Sequence, residues 1–147
     1  MNDFERWLAE GDLTSDGRSN EVVAVVLSSP TYAKDLMACL NSKKPGVRGH
    51  AADAIEKIAR EKPEIFSPHI HRLLKAVEED SLEMVQWHLA MCFGHMALFE
   101  ELVDLLLAAL FELLHAEGAF TRSWAITSLI IIARIYPDYQ ARIIGER

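Results

Sequence analysis

The sequence predicts an all-α protein whose helices come in pairs that stack into an α-α superhelix. Three observations predict it. Apolar residues recur at helical spacing along nearly the whole chain, turn residues interrupt that pattern at regular intervals, and one helical segment occurs three times. A single helical pair cannot bury both of its apolar stripes, and stacking successive pairs buries them in one continuous core.

Taken in order, residues 1–28 read as an N-terminal helical cap. Phe4, Trp7 and Leu8 form a short amphipathic stripe, residues 22–27 a second and more buried helix, and residues 11–20 a polar, turn-rich loop between them. Residues 31–62, 63–98 and 99–136 then read as three helical-pair repeats. Their first helices cover 32–40, 69–78 and 102–115, and the apolar endings 36–40, 73–77 and 110–114 step by 37 each time. In the last of these, Leu102, Leu105, Leu106, Ala109, Leu110, Leu113 and Leu114 follow the i, i+3, i+4, i+7 rule.

The second helices begin near Val47, Val85 and Thr121, at spacings of 38 (85 − 47) and 36 (121 − 85). Small residues recur at Ala54, Cys92 and Ser128 and again at Ala59, Ala97 and Ala133. Large apolar residues recur at Ile55, Phe93 and Leu129 and at Ile58, Met96 and Ile132. The small positions predict close helix approach. Ala51, Ala52, Ile55, Ile58 and Ala59 make one apolar face, with Asp53, Glu56, Lys57 and Arg60 on the other side. Residues 129–132 alone would suit a buried strand, but the flanking register makes them helical.

Punctuation supports these boundaries. Pro45 and Gly46 open a helix, Ser67-Pro68 reads as an N-cap with a first-turn proline, and Glu117-Gly118 marks a turn. Asp80-Ser81-Leu82-Glu83 has capping-box spacing. Pro63 and Pro137 sit two periods apart in like contexts. Residues 137–147 read as a C-terminal cap or a truncated repeat, the latter leaving an apolar edge for a homodimer.

A period near 37, two helices per repeat, and a second helix that opens Val47-Arg48 and continues through Ala51-Ala52, Ala54-Ile55 and Ile58 resemble HEAT repeats, of the armadillo-like group. The resemblance covers residues 31–135. It implies a solenoid whose second helices line a concave face. It also implies an arginine in the second helix pairing along the stack with an acid near the end of a first helix. Gln86 stands where that arginine series would continue, and Asn41, Glu79 and His115 stand near the acid positions.

Half of the residues are hydrophobic and a quarter charged, which supports a folded core and excludes wholesale disorder. Cys39 and Cys92 lie far apart in apolar stretches, which predicts buried free thiols and a reducing, cytoplasmic setting. The polar, acidic start lacks the pattern of a signal peptide. The apolar runs at 102–114 and 126–135 fall short of the roughly 20 residues that span a bilayer, so no membrane association is expected.

No catalytic or phosphate-binding motif emerges, and the carboxylates at 78–80 and 100–101 read as solvated helix boundaries. The histidines predict no metal site. His69 and His71 point apart, and His88 and His95 share a face but lie about 10 Å apart along the axis. His50 and His88 occupy equivalent positions, yet the next equivalent is Trp124, so a third ligand is wanting. No cofactor is expected.

These readings predict a non-catalytic interaction or scaffold module that binds a protein or peptide on its concave face. The predicted contact residues are Arg48, His50, Gln86, Trp87, His88, Met91, Arg122 and Trp124, with His95 and Ser123 nearby and with His88 and the arginines exposed. The alternative is nucleic-acid binding or DNA repair through residues 42–75, which hold eight basic residues against four acids. The net charge of −7 opposes it, because phosphate backbones repel an acidic protein.

Overall fold

The computed structural model describes residues 3–10 and 18–145. Among them the regular elements are helical and no strand forms. Nine α-helices follow in order: α1 Asp3–Leu8, α2 Ser19–Ser28, α3 Ala33–Ala38, α4 Pro45–Glu61, α5 Ile70–Glu79, α6 Glu83–His95, α7 Val103–Leu113, α8 Ala119–Ile135 and α9 Gln140–Gly145. Short 3₁₀ turns lead into α3, α5, α7 and α9. Pro30, Pro63 and Pro137 each open such a turn, where the missing N–H and fixed φ cost nothing.

Helices α2, α4, α6 and α8 pack on one another in chain order, most extensively at α4–α6 and α6–α8. Helices α1, α3, α5 and α7 lie against this row. One contiguous core runs from Phe4 and Leu8 to Ile132, with Phe66 and Phe93 its largest fully buried side chains. Close approach at α6–α8 depends on Gly94. A Cβ there would meet the Ser128 hydroxyl at 2.6 Å, and that hydroxyl donates to the Ala90 carbonyl at 2.7 Å. Ala54, Cys92 and Ser128 are all buried.

The start of each second helix is held by one recurring clamp. Arg48, Gln86 and Arg122 each donate to the carbonyl six residues earlier, at Ser42 (3.0 Å), Asp80 (3.0 Å) and Ala116 (2.8 Å). Gln86 thus does within its own loop what the arginines do. Only Arg48 also reaches into the following helical pair, donating to Asp80 at 2.8 Å.

Several local expectations need correction. Residues 11–17 lie outside the described residues, but Ser19 and Asn20, expected in that loop, begin α2. Ser67 and Pro68 form a 3₁₀ turn rather than capping α5, because the Ser67 hydroxyl turns back to the Glu64 carbonyl at 3.5 Å. The expected capping box at Asp80 does not close. Asp80 accepts the Leu82 N–H at 3.0 Å, and Glu83 leaves its own helix to accept the Phe120 N–H of α8 at 3.3 Å. Residues 129–132 are helical, inside α8. Pro63 and Pro137 play the same local part, as their spacing predicts.

Candidate functional site

The joint between α4 and α6 holds the richest chemistry. Asp53 and Glu56, placed by sequence on the polar side of α4, are 6% and 1% exposed because that side faces α6. Their partners are histidines of α6, 35 (88 − 53) and 39 (95 − 56) positions further along the chain. His95 Nε2 lies 2.8 Å from Glu56 Oε2, and His88 Nε2 lies 3.4 Å from Asp53 Oδ1. The other nitrogen of His88 donates to the Met84 carbonyl at 2.6 Å. Asp53 also accepts from the Ser19 hydroxyl of α2 at 2.9 Å and pairs with Lys57 at 3.1 Å. One carboxylate therefore touches α2, α4 and α6. Glu56 additionally accepts two hydrogen bonds from Arg60, at 2.6 and 3.0 Å.

Burial alone would push both carboxyls up, since the charged form loses water. For Asp53 the hydrogen bond to His88, the Lys57 ammonium and the Ser19 hydroxyl outweigh it and hold the group at about 2. For Glu56 the bonds to His95 and Arg60 likewise outweigh burial and leave it below the ordinary carboxylate range. Burial, with help from the Glu56 charge, pushes the Cys92 thiol well up, so this cysteine is an inert packing residue.

Two predicted contact residues are corrected by their burial. His50 is fully buried, its Nδ1 donating to the Leu8 carbonyl at 2.7 Å, and His88 is 4% exposed. His50 faces the end of α1, and His88 faces α4. Arg48, Gln86 and Arg122 are half-buried and committed to their loop clamps, so the two arginines are less exposed than expected. Among the described residues no three His, Cys, Asp or Glu side chains gather as a metal-ligand set.

Trp87, Met91 and Trp124 are half-buried, and Trp124 packs on the core. Trp87 stacks on the His88 ring at 3.6 Å between centroids and stands 6.0 Å from Phe120 across the α6–α8 joint. Phe120 is 66% exposed. It was missed in the sequence because it precedes the segment that begins at Thr121. Its signal is the i, i+4 spacing from Trp124. Met84, Trp87, His88, Met91 and His95 share one face of α6 by their spacing.

Three of the eight cations in segment 42–75 are engaged in ion pairs. Arg48, Lys57 and Arg60 are paired with Asp80, Asp53 and Glu56. Lys43 and Lys44 precede α4 and Lys62 follows it, a separation of about 25 Å for a helix of 17 residues. No helix of the described residues is long and apolar enough to cross a membrane. Compared with protein-family models, with curated proteins and with solved structures, the chain matches none.

Proposed function

We propose that this protein is a HEAT-like solenoid that acts as a non-catalytic scaffold, binding a protein or peptide on the face formed by its second helices. The observation that carries this reading is the aromatic pair bridging α6 and α8: Phe120, two-thirds in solvent, beside a half-buried Trp87. An exposed large aromatic next to a rigidly held tryptophan is the composition of an interface anchor. Met91 and His95 extend the same face along α6. The packing of α2, α4, α6 and α8 in chain order supports the stacked-pair reading, and the recurring clamp at Arg48, Gln86 and Arg122 supports three equivalent repeats. Two buried free thiols fit a reducing, cytoplasmic setting.

Affinity capture from the source lysate, with Trp87→Ala/Phe120→Ala beside the native chain, tests this. Circular dichroism first establishes that the variant folds. The expected outcome is a partner held by the native chain and lost by the variant. A partner held equally by both, or none held by either, would overturn the assignment to this face.

A further inference from the structure

A second surface lies among the first helices, away from the aromatic pair. Helices α5 and α7 flank a groove of about 650 Å³ whose apolar lining includes Leu74, Leu105, Ala108 and Ala109. Leu105 is 37% exposed and Ala108 is in solvent. The small side chains at 108 and 109 leave room for another helix to approach closely, between the Leu74 and Leu105 walls.

The preceding joint explains why this groove stands open. There, a smaller hollow is lined by Arg48 together with Glu79 and Asp80, and Arg48 crosses it to Asp80 at 2.8 Å. At the next joint the equivalent residue is Gln86, which carries no charge and bonds only its own loop carbonyl at Asp80. The cation that stitches the first joint is thus missing from the second. Two carboxylates line the second groove, Glu78 near the end of α5 and Glu112 near the end of α7, and neither meets a cation among the described residues. Helix C-termini add partial negative charge at the same place. His115 is the remaining ionisable group in the lining.

We propose that the α5–α7 groove docks an amphipathic helix of a partner protein, its apolar stripe on Leu74, Leu105, Ala108 and Ala109 and a terminal lysine or arginine at Glu78 and Glu112, where the chain supplies Gln86 in place of a second Arg48. Charge complementarity selects this occupant, because an apolar groove ending in unpaired carboxylates favours an apolar segment that ends in a cation.

The test uses a fluorescein-labelled synthetic helix with leucine at i, i+3, i+4 and i+7 and lysines at one end, titrated into the full chain and followed by anisotropy. Saturable micromolar binding is expected. It should weaken about tenfold in Glu78→Gln/Glu112→Gln, a surface double variant that leaves the core untouched, and be abolished by Leu105→Glu. Replacing the peptide's lysines with glutamates should abolish it as well, and Trp87→Ala/Phe120→Ala should leave it unchanged, separating this site from the second-helix face. No saturable binding overturns the proposal, as does equal binding of the glutamate peptide or indifference to Leu105→Glu. Saturation by dodecylamine with no binding of the peptide would make the occupant a small amphiphile and overturn the helix. Self-association that Leu105→Glu removes would make it a second copy of this chain, with the same result.

Discussion

Thr121 stands in α8 where Val47 stands in α4 and Val85 in α6, each two residues into its helix, and all three are fully buried. Its hydroxyl has no hydrogen-bond partner among the described residues. A buried hydroxyl without a partner costs free energy that an isosteric methyl does not. Thr121→Val is expected to stabilise the chain by about 1 kcal/mol, read as a rise in Tm of about 3 °C; an unchanged or lower Tm would contradict this. Asp53 gives the opposite kind of prediction. Its folded-state pKa lies below the unfolded value, so its contribution is complete above about pH 5 and is lost as pH falls toward about 2. The shift from 3.8 to about 2 corresponds to roughly 2 kcal/mol. Glu56 shifts in the same direction and adds to the acid loss. Urea unfolding between pH 7 and pH 3 should therefore show a steeper acid loss for the native chain than for Asp53→Asn. Parallel pH profiles would remove Asp53 as the cause. None of this was legible in the sequence. Asp53 and Glu56 look like solvated residues opposite an apolar face, and their partners His88 and His95 lie 35 (88 − 53) and 39 (95 − 56) positions away.

At the scale of the helix, the chain reports itself well. The 3.6-residue period, the three-fold repeat and the prolines gave α4, α6 and α8 at their observed starts to within two residues, because those signals are local. Caps were read poorly, because here they are supplied from a distance: Glu83 of α6 serves the first turn of α8. Gly118 makes room for it, since a Cβ at that position would collide with the Glu83 carboxylate. Gly118→Ala should cost about 1 kcal/mol, the usual worth of a cap, and should cost much less in a Glu83→Ala background. Similar coupling is expected between Gly94→Ala and Ser128→Ala, which share the α6–α8 contact. A double-mutant cycle in urea should give an interaction of about 1 kcal/mol, and simple additivity would show that the two residues do not define the approach.

For the molecule as a whole, the exposed side of α8 matters most. Ile126 and Ile130 of α8 are 50% and 45% exposed, and they correspond to Ala90 and Gly94, the α6 residues that meet α8. Helix α8 thus offers water the side that corresponds to the one α6 turns toward α8. Weak self-association is expected there. Sedimentation equilibrium should show mass rising with concentration for the native chain and a monomer for Ile130→Glu; a native monomer at all concentrations would remove the homodimer. Whole-molecule features such as this edge, and the groove beside Gln86, depend on which helices fail to touch. That information is spread over the chain and is not carried by any motif.

The Asp53 carboxylate has a mechanical meaning. It is a rivet shared by three helices, α2, α4 and α6, gripped by Ser19 from one side and His88 from the other. His88 in turn carries the Trp87 ring. A load applied at Trp87 therefore reaches α2 through a line of four side chains, Trp87, His88, Asp53 and Ser19.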